Sequence, residues 1–345
     1  MPGDRRTGLP TETLHRAANR FGWVGVTIAP VGQGNINDSF FVTTAAGEFV
    51  LQRLNQSVFG DIEGLTKNLL SVCGAVGTGV VPQPVAAAPE QWVVDVDGER
   101  WRAWCRVPGE VMGVPMDRAT ARSAGALLGQ FHGQVSELDP KGMVVTLPRF
   151  HDLRGRRADL EAAVVADCCG RAAGVSEELD RIRRLDPLVD VAEELVSRVP
   201  VRVAHFDCKL DNVLFRDRRA VCLVDLDTVM PGAWFWDLGD LLRTAAANVS
   251  EVTTDPSQAA ADRRLYDAVV AGYLDAVPDN LLTAEEIEAT RAAGAISAFE
   301  QAVRFLTDWL VGDLYFRTTR RGHNFDRART QLNLLASMPA PVSPQ

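Results

Sequence analysis

The fold of this chain is decided by VAHFDCKLDNVLF at residues 203–215 and VCLVDLDTVMPG at residues 221–232. The first stretch is apolar and β-branched, then polar, then apolar again, which is typical of a catalytic loop between two short strands. Its polar centre contains His205, Asp207 and Asn212. The two stretches together predict a loop that carries chemistry, followed by a hairpin.

The polar residues have the spacing H-x-D-x-x-x-x-N, which in protein kinases supplies an Asp base and an Asn metal ligand. Phosphoryl transfer needs a carboxylate that orients the acceptor hydroxyl and oxygen ligands for magnesium. Asp207 and Asn212 provide one of each, and Asp225, after the next apolar run, provides a second metal ligand. We expect a hairpin turn centred between Arg218 and Arg219, which places Asn212 opposite Asp225, close enough to share one ion.

HFDCKLDNVLF followed by CLVDLDTVMPG resembles the aminoglycoside phosphotransferase and choline kinase superfamily. Within it, the D-x-K-x-x-N variant and the DLDTVMPG tail are most similar to the N-acetylhexosamine 1-kinases. The resemblance implies an α+β, two-lobed, protein-kinase-like fold with an antiparallel-sheet N-lobe and a mainly helical C-lobe. It also implies ATP and Mg²⁺ as cosubstrate and cofactor, and a small-molecule sugar as acceptor.

The same resemblance assigns roles around the loop. His205 and Asp237 become structural supports of the catalytic loop, with Asp237 bracing the histidine. Lys209 and Asp227 become substrate-binding residues. For Asp227, assistance to magnesium and a hydrogen bond that shapes the loop remain open as alternatives.

A glycine-containing turn lies between two apolar runs at residues 32–38. In a kinase-like N-lobe this turn covers the nucleotide phosphates, because glycine lets the backbone approach and successive amides can point at an anion. An ordinary hairpin turn has the same composition. The nucleotide-binding candidates here are Gly32, Gln33, Gly34 and Asn35.

The third strand of the expected sheet carries Gln52 and Arg53 where a protein kinase has its phosphate-binding lysine. Arg53 either replaces that lysine, with a different reach, or is a solvated strand residue. The resemblance favours a functional Gln-Arg pair. The following helix, predicted at residues 61–72, offers Asp61 or Glu63 as the acidic partner of this cation, and Glu63 is preferred because it lies within the helix. A plain surface glutamate is the alternative.

A strand, a Pro-Gly breaker and a helix follow one another around residues 102–117. In a kinase-like fold, elements in this order would connect the two lobes. The backbone of residues 103–106 is expected to recognise the adenine edge, so Ala103, Cys105 and Arg106 are nucleotide-site candidates. We place the boundary here, with a nucleotide-binding N-lobe at residues 1–107 and a catalytic and acceptor-binding C-lobe at residues 108–345. Asp117 is the expected N-cap of the next helix.

Near the C-terminal end, Arg304 and Asp308 share one face of a predicted helix. Periodicity alone indicates a surface ion pair on an amphipathic helix. The N-acetylhexosamine kinases carry a similar RFLTD, GDxYF and GHN series, and aromatic rings, guanidinium groups and carboxylates bind sugars well. The resemblance therefore makes Arg304, Asp308, Trp309 and Tyr315 substrate-site candidates.

The composition excludes several classes of protein. The chain has 345 residues, enough for two lobes, and its net charge of −9 argues against broad binding to nucleic acid or anionic membranes. No apolar run reaches membrane-spanning length, so we expect a cytoplasmic protein without a membrane partner. Six cysteines without C-x-x-C spacing predict neither a zinc site nor a disulfide framework.

The sequence thus predicts an ATP- and Mg²⁺-dependent small-molecule kinase, a monomer or weak homodimer, that phosphorylates the anomeric hydroxyl of an N-acetylhexosamine. One rival keeps the chemistry and changes the acceptor to another hexose or hexosamine, an aminoglycoside or an amino alcohol. The other rival is a non-catalytic pseudokinase that only binds nucleotide. The intact set of Asp207, Asn212 and Asp225 disfavours the pseudokinase.

Overall fold

The computed structural model describes residues 9–31 and 36–339. The chain divides into two compact units, Met1–Pro108 and Gly109–Gln345. Within the described residues, no helix is both long enough and apolar enough to cross a membrane.

Unit 1 is an antiparallel sheet with two helices. Within its described residues, the strand order is β1-β2-β3-β6-β4, with β5 paired to β6. The elements are α1 (Thr11–Arg20), β1 (Thr27–Pro30), β2 (Asp38–Thr44), β3 (Gly47–Arg53), α2 (Ile62–Val76), β4 (Pro84–Val85), β5 (Val93–Val96) and β6 (Glu99–Cys105).

The alternation of side chains along these strands builds two different faces. Leu51 and Trp101 belong to a buried core with Ala17 of α1 and with Phe21, which directly follows that helix. Gln52, the neighbour of Leu51 in the same strand, points to the opposite face, because successive strand residues alternate. The core of unit 1 is therefore a helix packed on one face of a twisted sheet.

Turns and caps of unit 1 follow the local sequence. Asp97 and Gly98 form the hairpin turn between β5 and β6, and both have positive φ. Asp61 is the N-cap of α2, since its side chain accepts a hydrogen bond from Gly64 N at 2.8 Å. This helix begins one residue later and ends four residues later than the predicted range of 61–72.

Unit 2 is mainly helical and carries two small sheets. One sheet has the order β10-β9-β7, and the other pairs β11 with β8. The elements are β7 (Glu110–Val111), α3 (Arg118–Val135), α4 (Leu153–Ala166), α5 (Ser176–Arg184), α6 (Pro187–Arg198), β8 (Arg202–Ala204), β9 (Val213–Arg216), β10 (Arg219–Leu223), β11 (Met230–Gly232), α7 (Phe235–Ala245), α8 (Arg263–Ala276), α9 (Ala284–Val311) and α10 (His323–Ser337).

The helices of unit 2 begin where their capping residues predict. Asp117 accepts a hydrogen bond from Thr120 N at 2.8 Å and starts α3. Thr283 and Glu286 form a reciprocal capping box at the start of α9. Helices α3 and α8 approach closely, because a Cβ on Gly125 would lie 2.0 Å from the carbonyl oxygen of Val269.

The hairpin of β9 and β10 turns one position earlier than predicted. Arg219 pairs with Arg216, so the turn is centred between Asp217 and Arg218, which both have positive φ as in a type I′ turn. The register then shifts between Ala220 and Cys222. The prediction that the turn lies between Arg218 and Arg219 was therefore wrong by one position.

Candidate active site

The loop between β8 and β9 is held in an unusual backbone conformation. Phe206, directly before Asp207, has φ +66°, a left-handed value that non-glycine residues seldom adopt. Its ring packs over Gly232 so closely that a Cβ there would lie 1.9 Å from Phe206 Cζ. Strain of this kind persists only where surrounding contacts impose it, and it concentrates at functional sites.

Asp237 of α7 supplies those contacts. Its Oδ2 accepts from His205 N at 2.8 Å, and its Oδ1 accepts from Phe206 N at 2.6 Å. His132 of α3 lies 2.9 Å away through Nε2, and its Nδ1 lies 3.0 Å from the Tyr273 hydroxyl. Asp237 thus holds the backbone of the loop, rather than the imidazole of His205.

Burial and hydrogen bonding set the protonation states of His132 and Asp237. Burial lowers the pKa of His132 despite the neighbouring Asp237, so the imidazole is neutral, donating from Nε2 and accepting at Nδ1. Burial alone would raise the pKa of Asp237, but His132 and His205 hold it below its usual value. A parallel ring stack of His132 on Trp234, with centroids 4.2 Å apart, fixes the imidazole plane.

His205 itself orients the catalytic segment from inside. Its Nδ1 accepts from Asp207 N at 3.3 Å, and its Nε2 lies 3.1 Å from the carbonyl oxygen of Val224. Thr228 donates to the His205 carbonyl at 2.6 Å. The histidine therefore connects the loop to the end of β10, where the second motif begins.

The Asp207 carboxylate is held by two neighbours in its own loop. Lys209 Nζ donates to Oδ1 at 2.9 Å and to Oδ2 at 2.6 Å, and Asn212 Nδ2 donates to Oδ2 at 2.7 Å. Burial alone would raise the pKa of Asp207, but the charge and hydrogen bonds of Lys209, with the help of Asn212, lower it. Asp207 is therefore an ionised, oriented acceptor at neutral pH.

Asn212 and Asp225 lie at neighbouring register positions. Val224 N donates to the Asn212 carbonyl at 2.9 Å, so Asn212 faces Val224 and Asp225 is the next residue. The expected direct pairing of Asn212 with Asp225 is thus wrong by one residue, because the turn lies earlier and β10 carries a bulge. Asp225 adopts a left-handed conformation, with φ +64°.

The residues at this position suit a magnesium ion. The Asn212 amide nitrogen binds Asp207, which directs its oxygen the other way, and the exposed Asp225 carboxylate lies beside it in the register. Magnesium prefers oxygen ligands and commonly uses one or two carboxylates together with substrate phosphates. Within residues 9–31 and 36–339 no group of three or more His, Cys, Asp or Glu side chains forms a closed metal site.

The remaining candidates of the two motifs have distinct surroundings. Lys209 points back to Asp207. Asp227 is buried in the short turn Leu226–Thr228 that follows Asp225. It lies in the same segment as the candidate metal ligand, so its position is compatible with each of the roles expected for it.

In unit 1, the structure separates Gln52 from Arg53. Gln52 Oε1 accepts from Arg102 Nε at 2.9 Å and from Trp104 Nε1 at 2.7 Å, which places it in a polar network on the face opposite the α1 core. Arg53 forms an ion pair with Asp38. The Gln52 network contains a buried arginine, Arg102, which the sequence reading had not selected.

Glu63 does not pair with Arg53. Its carboxylate accepts from Arg100 at 2.8 Å, and its side chain is 76% exposed. The expectation that Glu63 is the acidic partner of Arg53 is therefore wrong, because Asp38 lies directly opposite Arg53 in the β2–β3 register.

The other nucleotide-site candidates of unit 1 lie at its end or outside the described residues. Ala103 and Cys105 belong to β6, and Arg106 follows, with its guanidinium over the Phe41 ring and paired to Glu48 at 2.8 Å. Gly32, Gln33, Gly34 and Asn35 lie outside the residues that the structure describes.

Asp308 organises the loop after α9. Its Oδ1 accepts from Leu314 N and Tyr315 N at 2.9 and 2.8 Å, and its Oδ2 accepts from Phe316 N at 2.9 Å and Asn324 Nδ2 at 2.8 Å. Three backbone N–H groups and one side-chain amide therefore occupy this carboxylate. The surface ion pair of Arg304 with Asp308 that periodicity alone indicates is absent within residues 9–31 and 36–339, and both side chains are buried.

Arg304 lies among aromatic rings instead. Its guanidinium carbon is 5.1 Å from the Phe150 centroid, 5.7 Å from that of Tyr315 and 5.3 Å from that of Phe316. Trp309 faces another way, under the guanidinium of Arg171 at 3.7 Å. The structure therefore brings Arg304 and Tyr315 together and separates both from Trp309.

Three residues near Arg304 were not predicted from the sequence: His151, Arg156 and Glu300. His151 Nδ1 lies 2.6 Å from Glu300 Oε2, and its Nε2 lies 3.2 Å from the Phe206 carbonyl oxygen, so it connects α9 to the catalytic loop. His151 also stacks in parallel on Trp236, with centroids 4.4 Å apart. Arg156 of α4 completes the group. The one sequence signal was the spacing of Glu300 four residues before Arg304 on a helix.

Comparisons with known proteins identify a family and a shared fold. A family model described as the phosphotransferase enzyme family, APH, matches residues 27–282, more than half of the chain. Three solved structures share the kinase-like fold over nearly the whole length, at 12 to 17% identity.

The first is a choline kinase from Cryptosporidium parvum Iowa II, with TM-score 0.59 and 12% identity over 94% of this chain and 93% of that one. The second is an aminoglycoside phosphotransferase from Alicyclobacillus acidocaldarius, with TM-score 0.60 and 14% identity over 91% and 92%. The third is the GDP complex of aminoglycoside 2′-phosphotransferase-IIIa, with TM-score 0.61 and 17% identity over 93% and 98%.

Proposed function

The chain belongs to the phosphotransferase enzyme family, and from this premise we propose that it transfers the γ-phosphoryl group of ATP to the anomeric hydroxyl of an N-acetylhexosamine. The observation that carries the proposal is the Asp207 carboxylate, ionised and oriented by Lys209 and Asn212 on a loop that Asp237 holds. The sugar acceptor is supported by the sequence resemblance at residues 304–324 and by the aromatic surroundings of Arg304.

The proposed chemistry is alignment and charge neutralisation. Asp207 accepts the hydrogen bond of the acceptor hydroxyl and takes its proton as the new P–O bond forms, while the bond between the γ-phosphorus and the β–γ bridging oxygen of ATP breaks and ADP leaves. Lys209, which pairs with Asp207, would in this proposal also contact the transferred phosphoryl group. Asn212 and Asp225 would hold magnesium, which neutralises the charge of the nucleotide phosphates.

The nucleotide contacts are proposed from unit 1. The backbone of residues 103–106 recognises the adenine edge, and Gln52 with its hydrogen-bonded neighbour Arg102 provides polar groups for the phosphates. The turn at residues 32–35 completes the phosphate contacts. In this proposal Arg53 is a structural residue, because it is paired with Asp38.

A panel of acceptors tests the proposal. Magnesium-dependent release of ADP is measured with free hexoses, hexosamines, N-acetylhexosamines, aminoglycosides and choline, and the product is identified by phosphorus NMR. A 1-phosphate of N-acetylglucosamine or N-acetylgalactosamine is the expected product. Activity on choline or an aminoglycoside alone would overturn the acceptor, and nucleotide binding without any turnover would favour a pseudokinase.

Replacement of Asp207 by Asn tests the mechanism. We expect kcat to fall by about 10²–10⁴-fold, because the amide cannot take a proton, while the Kd of ATP stays close to that of the wild type. The matched control is Asp217→Asn at the exposed hairpin tip, where Asn tolerates the left-handed backbone. Near-wild-type turnover in the Asp207 variant would refute the assignment.

Replacement of Asp225 by Asn tests the metal position. Loss of one negative oxygen weakens the attraction for magnesium, so the magnesium concentration that gives half-maximal activity should rise about tenfold or more. A magnesium titration at saturating ATP measures it, again with Asp217→Asn as the control. An unchanged magnesium requirement would exclude Asp225 as a ligand.

A further inference from the structure

A buried polar group on α9 and α4 lies next to the catalytic loop and has no role in the chemistry proposed above. Glu300 is fully buried and Arg304 is 8% exposed, one helical turn apart on α9. Arg156 approaches from α4, and its pKa is lowered by burial and by the charge of Arg304. Glu300, Arg304 and Arg156 are called here the α9 cluster.

The α9 cluster is connected directly to the catalytic loop. His151 contacts Glu300 Oε2 at 2.6 Å on one side and the Phe206 carbonyl oxygen at 3.2 Å on the other. Phe206 immediately precedes Asp207. Through His151, Glu300 is therefore connected to the residue that precedes Asp207.

Several polar atoms of the cluster lack protein partners. Glu300 Oε1 is buried without a hydrogen-bond partner among residues 9–31 and 36–339, and so is Arg156 Nε. Across the same described ranges, the Arg304 guanidinium has contacts with aromatic rings and no ion pair or hydrogen bond. Buried polar groups are almost always hydrogen-bonded in native proteins, so a vacant acceptor beside vacant donors indicates a ligand.

The vacant atoms specify the chemistry of that ligand. Burial would raise the pKa of Glu300, but His151 and Arg304 lower it, so Oε1 is an acceptor that needs a donor. The guanidinium group needs an acceptor. A carboxylate or phosphate offers no donor and is repelled by Glu300, whereas an ammonium offers no acceptor and is repelled by the two arginines.

We propose that the α9 cluster is the acceptor subsite for a neutral secondary amide, whose N–H donates to Glu300 Oε1 and whose carbonyl accepts from Arg304 or Arg156. The rings of Phe150, Tyr315 and Phe316 around Arg304 would cover the apolar methyl group of an acetamide. A sugar hydroxyl can also donate and accept, but it offers nothing to these rings. The inference rests on the proposed function and names the part of the acceptor that is recognised.

The test is a comparison of acceptors in the wild type and in Glu300→Gln. Glucose, glucosamine and N-acetylglucosamine share one ring and differ only at C2, and glucuronic acid, with a carboxylate at C6, is the anionic acceptor. We expect the wild type to favour the N-acetyl sugar in kcat/KM. In Glu300→Gln that preference should fall at least tenfold, through KM, because the new NH₂ group meets the amide N–H, while the KM of ATP is unchanged.

The matched control is Glu288→Gln, the same substitution on the same helix, where the exposed carboxylate pairs with Arg198. It should leave all four acceptors unchanged. An equal loss of kcat/KM for every acceptor in Glu300→Gln would show a purely structural role and overturn the subsite, as would a wild type that prefers the free amine, the carboxylate or plain glucose.

Binding separates this inference from the proposed function. Saturation-transfer NMR with N-acetylglucosamine and glucose measures binding without turnover. Selective binding of the N-acetyl sugar that Glu300→Gln abolishes, with no phosphorylation, would keep the subsite and overturn the proposed function. Phosphorylation without N-acetyl selectivity would keep the function and overturn the subsite, and neither binding nor turnover would overturn both.

Discussion

At the scale of single residues, the site depends on an ion pair within the catalytic loop. Asp207 and Lys209 are two positions apart in one loop and form a two-point ion pair. Removing one partner of such a partly buried pair leaves the other charge without a counter-charge, which is unfavourable in free energy. The pair therefore sets the protonation state of the residue that receives the acceptor proton.

Replacement of Lys209 by Met should move the acidic limb of the pH profile upward. The pKa of Asp207 is lowered by Lys209 against the effect of burial, so without the ammonium group it should rise. The measurement is kcat/KM against pH for both proteins, with the exposed Lys141→Met as the control. A limb that stays in place would show that Lys209 does not set this pKa.

At the scale of elements, α9 carries a polar row inside a buried helix. Glu300, Arg304 and Asp308 are four residues apart and so lie on one face. Each serves a different neighbour: Glu300 contacts His151, Arg304 lies among aromatic rings, and Asp308 binds the loop that follows. One helix thereby positions the acceptor cluster and the loop beside it.

Replacement of Asp308 by Asn should destabilise the protein rather than abolish sugar recognition. An amide NH₂ in place of Oδ2 would face the donors of Phe316 and Asn324, at a cost of about 1–3 kcal/mol in the free energy of unfolding. Urea denaturation measures this cost, and Asp275→Asn on the exposed side of α8 is the control. Unchanged stability with a large rise in acceptor KM would instead make Asp308 a direct ligand.

The sequence predicted most elements but not their exact pairing. Caps such as Asp117 and Thr283 are local, so the chain itself determines where α3 and α9 begin. The partner of Arg53 and the register of Asn212 depend on strand pairing and on a bulge, and neither has a strong local signal. His151 and Glu300 are 149 positions apart, and only the packing of α4 on α9 brings them together.

At the scale of the whole molecule, buried ionisable groups link folding to pH. Burial lowers the pKa of His132 and of His323, so both bind protons in the unfolded chain before they do so in the folded one. Some buried carboxylates change the stability in the same direction as these histidines. Burial alone would raise their pKa values, but basic neighbours lower them, so these groups also bind protons first in the unfolded chain: Asp207, Asp237, Glu251 and Glu300.

Burial raises the pKa of three other carboxyl groups, those of Asp211, Asp240 and Asp308, and these oppose the effect at acidic pH. In the histidine range, the free energy of unfolding should decrease as the pH falls. The loss begins below about pH 6.5, where unfolded histidine protonates, at about 1.4 kcal/mol per pH unit for each extra proton bound by the unfolded chain. Urea denaturation from pH 8 to pH 4 measures it. His323→Gln should flatten the first part of the slope, and a wild-type slope of zero between pH 7 and pH 5 would contradict the prediction.

Trp234 and Trp236 each lie face to face with an imidazole, His132 and His151 respectively, at interplanar angles of 4°. Indole emission responds to a ring in contact with its face and to the charge on that ring. The two stacks flank the catalytic loop, one at its brace and the other at the link to Glu300. The intrinsic fluorescence of these two tryptophans should therefore change when an acceptor binds, so binding can be followed in unlabelled enzyme. A Trp236→Phe variant would identify which of the two tryptophans responds.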